Sequence, residues 1–163
     1  MTDEAKKPKK TSPTQRSLER LREEGAYMVA VVEKWNRFGG PLKENGERAG
    51  NRIDLYGFID VLAVLPDQVG TLGVQACGPT GMSSHLKKVF DDPALLQRAK
   101  WYVKQGNRLV FWSWKQDKKT KRWGVKERDF VVELAARQSA EPAVQTQLFG
   151  APTTTLGKDN DPF

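Results

Sequence analysis

The sequence predicts an α/β domain built on a central sheet of about five strands flanked by helices. Five runs of strand length are rich in β-branched and aromatic residues, at 27–35, 54–65, 71–77, 108–114 and 122–130. Apolar residues at helical spacing fill 83–105, between the third and fourth of these runs. The composition, 38% hydrophobic with five tryptophans among 163 residues, supplies one core of ordinary domain size.

The first element is a helix. Ser12 is a capping residue, Pro13 suits the first helical position, and Gly25 closes a run that reaches Glu24. Residues 27–35 (YMVAVVEKW) are too short for a typical helix and read as a mostly buried strand with polar groups at its far end. Glycine, proline and charge dominate 36–51, marking a loop long enough to carry function. The short PDQVG link between 54–65 and 71–77 makes those two strands a hairpin. Asp91-Asp92-Pro93 divides 83–105 into two helices, the second starting on an aspartate cap. Strand 108–114 then passes through the turn 117–121 (DKKTK) into strand 122–130.

The folded domain is expected to span 12–136. Residues 1–11 are lysine-rich without apolar periodicity and read as a disordered basic arm, and 137–163, polar and proline-containing, read as a disordered tail. One cysteine, Cys77, excludes an internal disulfide and a cysteine-rich zinc site. The charged start and the lack of any run of about 18 apolar residues point to a soluble protein of the cytoplasm with no membrane partner. Lysine and arginine outnumber acids 27 to 20, for a net charge of +7, which attracts phosphate backbones and makes DNA the expected partner. The alternative use of that charge is a solubilising surface.

Two stretches carry a family likeness: Gly57-Phe58-Ile59-Asp60-Val61, and Val74-Gln75-Ala76-Cys77-Gly78-Pro79. With the order helix, three strands, helix, strand, they resemble the core of the PD-(D/E)XK nuclease superfamily. Archaeal Holliday-junction resolvases, restriction endonucleases and the VRR-Nuc domain belong to that superfamily. The resemblance covers approximately 13–130. It implies a restriction-endonuclease-like core with a mixed sheet, and a Mg2+- (or Mn2+-) dependent, resolvase-like endonuclease of bacterial or phage DNA repair or recombination. It implies Asp60 as principal metal ligand and Gln75 as second ligand, with Glu19 or Glu23 of the first helix assisting. Many resolvase-like proteins are symmetric dimers, which makes a homodimer a further implication.

The chemistry needs oxygen ligands on adjacent strands to hold a hard divalent ion against the scissile phosphate. A lysine two residues beyond the second ligand shares its strand face and stabilises charge there. This chain departs from the pattern: Gln75 is neutral, and Cys77 stands where the lysine belongs. Lys34, Lys87 or Lys88 is then the candidate for an amine supplied from elsewhere in the fold. The competing use of Asp60 is a buried carboxylate paired with Arg52 or Lys34, and that of Gln75 a hydrogen-bonded strand residue. Cys77 reads as a small buried hydrophobe rather than a nucleophile partnered by the sole histidine, His85. Two further functions remain open: a non-catalytic DNA-binding module of the same fold, and an interaction protein with no DNA role.

Three other features bear on function. Lys115, Lys118, Lys119, Lys121 and Arg122 surround the expected turn and are the candidate phosphate contacts, whereas Val110, Trp112 and Trp114 share one strand face and read as core. Gly78-Pro79-Thr80-Gly81 precedes a helix and offers backbone amides to a phosphate, but lacks the lysine and spacing of a P-loop, which excludes an NTPase. In the tail, Gln145, Leu148 and Phe149 lie in a QTQLF segment that is similar to the peptide by which bacterial replication and repair proteins bind the sliding clamp.

Overall fold

Ser12 caps the first helix as its residue type requires: its Oγ accepts a hydrogen bond from the Gln15 amide at 3.1 Å, and α1 (Pro13–Glu23) starts on the proline. The structure is a computed structural model that describes residues 11–140. The remaining elements, in chain order, are β1 (Met28–Val31), β2 (Lys34–Asn36), β3 (Asn51–Ile53), β4 (Val61–Val64), β5 (Leu72–Cys77), α2 (Met82–Asp91), α3 (Pro93–Lys104), β6 (Arg108–Gln116), β7 (Trp123–Asp129) and α4 (Phe130–Ala140).

The domain is α/β, with a five-stranded mixed sheet in the order β1-β4-β5-β6-β7. All neighbours are antiparallel except β5 and β6, which pair in parallel from Leu72↔Arg108 to Cys77↔Ser113. A parallel pair needs a long crossover, and α2 and α3 supply it. Asp92 accepts hydrogen bonds from the Ala94 and Leu95 amides, so the break between these helices is the expected aspartate cap.

Alternation along the strands sorts the core into two layers. Val61, Ala63, Leu72, Val74, Val110, Trp112 and Trp114 pack beneath Leu18 and Leu21 of α1. Ile59, Cys77, Leu109 and Phe111 face the other way, against Leu86 and Val89 of α2, Ala99 of α3 and Phe130 of α4. β5 is buried at every position, as a central strand covered on both faces must be. No helix among the described residues is long and apolar enough to cross a membrane.

Four expectations need correction. The run 27–35 is two strands, because the chain leaves the main sheet after Val31 and pairs β2 with β3 as a separate two-stranded ribbon. The 36–51 segment is therefore the tip of an arm rather than a plain loop. The run 54–65 is also divided, by a tight turn closed at Leu55↔Ile59 before β4 begins. Finally, residues 137–140, assigned to the tail, complete α4, which is seated by the buried Phe130. The expected arm, apart from Thr11, and the clamp-type residues Gln145, Leu148 and Phe149 lie outside the described residues.

Candidate metal centre

The turn that divides 54–65 creates the centre of the site. The Leu55 amide donates to the Ile59 carbonyl and the Ile59 amide to the Leu55 carbonyl, at 2.9 and 3.0 Å. Asp54 and Asp60 flank this closed pair, so the turn holds two carboxylates opposite each other. Tyr56 and Gly57 at its tip both have positive φ, 57° and 89°. Glycine serves the second position doubly, since a Cβ there would lie 2.7 Å from Leu95 Cδ2.

A third carboxylate arrives from the edge of the sheet. The ladder between β1 and β4 ends at Val31↔Val61 and is extended by the Val32 amide donating to the Asp60 carbonyl at 2.8 Å. Glu33 follows at once, and carboxylate oxygens of Glu33, Asp54 and Asp60 come within 4.8 Å of one another. The neighbouring strand adds Gln75. Its Nε2 donates to Asp60 Oδ2 at 2.7 Å, and the Ala76 amide donates to the same oxygen at 2.8 Å. Gln75 Oε1 is a buried acceptor with no hydrogen-bond partner among the described residues.

The electrostatics follow from this crowding. Burial, and then the Asp54 and Glu33 charges, push Asp60 up to about 7 from a usual 3.8, against the opposing pull of the Ala76 amide. Asp54 and Glu33 both lie close enough to Asp60 to disfavour its ionised form. Two cations offset the remaining charge. Arg52, paired with Trp35 across the ribbon, donates from one guanidinium nitrogen to both oxygens of Glu33 at 2.8 and 3.0 Å. Lys88 of α2 donates to Asp54 Oδ2 at 3.1 Å.

The residues present fit a hard divalent ion such as Mg2+ or Mn2+. The available ligands are all oxygen, three of them carboxylate, and hard cations prefer that set to nitrogen or sulfur. Buried acceptors are normally paired, and the orphan Gln75 Oε1 beside three carboxylates suits a further oxygen ligand. Gln75 would contribute through that amide oxygen or by orienting Asp60.

The structure brings together some of the expected residues and separates others. Asp60 and Gln75 meet directly. Glu19 and Glu23 do not join them, because α1 packs on the opposite sheet face and its acids line a pocket with Arg16, Arg20, Trp114 and Trp123. Arg52 pairs with Glu33 rather than with Asp60. Lys34 lines a shallow pocket beside Glu33 and Arg52. Lys87 is exposed and pairs with Asp91 of its own helix at 4.0 Å, so Lys88 is the lysine of α2 that reaches the site.

Cys77 lies in the core, where burial pushes its thiol up, and burial together with Lys88 lowers the His85 imidazole. A protonated thiol beside a neutral imidazole opposes thiol catalysis. Trp112 and Trp114 are core residues, their indole N–H groups bound to Glu127 and to Ser17.

The basic turn sits at the same end of the sheet as the centre. Ser113 pairs with Cys77, and β6 runs three residues further before Asp117 caps the turn by accepting from the Lys119 and Thr120 amides. Lys115, Lys118, Lys119, Lys121 and Arg122 are all exposed there. The N-terminus of α2 opens at this end too, with no side-chain cap on its first amides.

Glu33 and Asp54 escape a reading of the sequence for different reasons. Glu33 looks like the polar end of a strand. Asp54 is separated from Asp60 by a tyrosine-glycine turn, and Gly57 was the one signal that the run doubles back. Comparison with known proteins matches this chain to no family model, no curated protein and no solved structure.

Proposed function

We propose that this domain is a divalent-metal-dependent DNA phosphodiesterase, an endonuclease of the resolvase type to which its sequence is similar. The observation that carries this reading is the convergence of Glu33, Asp54 and Asp60 from separate segments, beside the unpaired amide oxygen of Gln75. A metal bound there supplies a Lewis acid for a phosphoryl oxygen and lowers the pKa of an attacking water. The three carboxylates and Gln75 hold and orient that group.

Lys88 takes the place of the lysine that Cys77 displaces. Its ammonium is anchored by Asp54 at the rim of the site, where it stabilises charge on a scissile phosphate or on the departing oxygen. Water adds to phosphorus, the bond to one deoxyribose oxygen breaks, and the proton lost by the water is balanced by the one gained at that oxygen. Lys115, Lys118, Lys119, Lys121, Arg122 and the open end of α2 bind the flanking backbone. The cytoplasm is the compartment of this reading, and the clamp-type peptide at Gln145, Leu148 and Phe149 is its recruitment signal.

One observation favours a second reading. Arg52 and Lys88 already pair with Glu33 and Asp54, so the acids have counterions within the chain, as in a DNA-binding module that needs no metal. Incubation with branched, nicked and single-stranded DNA in Mg2+ or Mn2+ separates the two. The nuclease reading expects cleavage that falls at least about a hundredfold in Asp54→Asn and Asp60→Asn. No cleavage of any substrate, with salt-sensitive binding that survives chelator, replaces it with the second.

A further inference from the structure

On the helical face, Tyr56 of the turn between Asp54 and Asp60 joins Arg98, Trp101, Tyr102, Gln105 and Asn107 in lining an open cavity of about 410 Å³. Two of its three aromatic residues are not core. Tyr56 is 53% exposed and Trp101 60%, whereas Trp112 and Trp114 of the sheet are sealed. Tyr102 forms a fixed wall, its hydroxyl 2.7 Å from Thr71 Oγ1 and its carbonyl accepting from Asn107 Nδ2 at 3.0 Å. The Tyr56 and Tyr102 ring centres lie 6.3 Å apart and tilted, an aromatic contact that joins the turn to the wall of the cavity.

The conformation of Tyr56 ties this cavity to the carboxylates. A bulky residue at φ 57° is strained, and such strain persists only where the surroundings impose it. The closed Leu55↔Ile59 pair imposes it here, and projects the ring from the tip of the turn whose base carries Asp54 and Asp60. One residue, Leu55, separates Tyr56 from Asp54, so their Cα atoms lie at most about 7 Å apart. One short turn therefore carries both the ring and the two carboxylates.

We propose that this cavity is a nucleobase subsite, taking an unpaired base of the strand whose phosphate lies at the metal centre. The inference rests on the nuclease reading and names its substrate class: DNA with locally unpaired bases, such as a flap, a junction or a single strand. Tyr56 and Trp101 supply aromatic faces that stack on any base, the Arg98 guanidinium stacks or meets a phosphate, and the Gln105 amide reaches a base edge. A base inside an intact duplex is already stacked on its neighbours and unavailable. The site therefore selects for strand discontinuity rather than for sequence.

Fluorescence anisotropy of the full chain in EDTA tests the subsite without turnover. The probes are a labelled oligothymidylate of about 12 nucleotides and an abasic oligomer of equal length and charge. The subsite predicts thymidylate binding at least about fivefold tighter than abasic binding. Trp101→Ala and Tyr56→Asn each erase that ratio, Trp101→Phe retains most of it, and circular dichroism reports that the exposed substitutions leave the fold intact. Equal affinity for the two probes, or a ratio unchanged in both Trp101→Ala and Tyr56→Asn, overturns the proposal. Base-dependent binding with no cleavage in Mg2+ or Mn2+ keeps the subsite and removes the nuclease; cleavage with base-independent binding does the reverse.

Discussion

Asp60→Asn is predicted to stabilise the metal-free protein above neutral pH while removing its activity. Asp60 Oδ2 accepts from Gln75 Nε2 and from the Ala76 amide, and an asparagine Oδ1 can accept both. Its Nδ2 then faces Asp54 and Glu33, replacing repulsion by a donated hydrogen bond. In the unfolded chain Asp60 ionises near 3.8; in the fold, burial and the two neighbouring carboxylates raise it to about 7. The folded state thus binds the proton more tightly. That contribution to stability is full below pH 3.8, declines as pH rises, and is lost above about pH 7. A shift of this size corresponds to about 4 kcal/mol at most, and rearrangement of Arg52 and Lys88 towards the ionised cluster lowers it to about 2–4 kcal/mol. Asparagine has no proton to lose, so at pH 8 the variant gains that amount, a rise in Tm of roughly 5–15 °C for a domain of this size. At pH 5 the gain is about a third as large. Thermal melts by circular dichroism in EDTA, at one-unit steps from pH 5 to 8, measure both. A variant less stable than the parent at pH 8, or a gain that does not grow with pH, refutes the assignment of Asp60 as a buried, repelled carboxylate.

Because the ion must displace the Asp60 proton, apparent Mn2+ affinity measured by calorimetry is expected to weaken towards tenfold per pH unit below about 7, with proton release on binding. Affinity independent of pH contradicts this. Lys88→Gln is expected to lower the cleavage rate about a hundredfold or more with little change in Tm, while Lys87→Gln stays close to the parent. Equal effects of the two would deny Lys88 its place in the site. Trp114→Phe removes the indole hydrogen bond to the buried Ser17 hydroxyl and is expected to cost about 1–3 kcal/mol in urea unfolding, without altering Mn2+ binding.

The framework was legible where local chemistry and tertiary packing agree. Ser12-Pro13, the Asp92 cap and the alternation of Val110, Trp112 and Trp114 all mean in the fold what they mean in the sequence. Asp60 and Gln75 were legible as a pair because strand pairing after a short hairpin link brings them together. What escaped depends on where the chain changes direction. Glu33 belongs to the site because the chain leaves the sheet after Val31, and a continuous apolar run conceals that departure. Asp54 belongs because Tyr56 and Gly57 adopt positive φ, and tyrosine gives no local signal for it. Glu19 and Glu23 mislead for the converse reason. Their charge and spacing suit a ligand, but Leu18 and Leu21 dock α1 on the far face of the sheet. Lys88 and Lys87 are adjacent in sequence and equivalent there; the rotation of α2 alone, set by Leu86 and Val89, turns one towards Asp54.

The central claim is that Glu33, Asp54 and Asp60 together hold a divalent cation. Crystals of the full chain soaked in Mn2+ at pH 8, with diffraction recorded at the manganese edge, test it directly. A cation held by all three gives an anomalous peak about 2–2.5 Å from an oxygen of each carboxylate, with the Arg52 and Lys88 ion pairs opened or shifted. A map with no peak among the three acids, and with both ion pairs undisturbed, would contradict it.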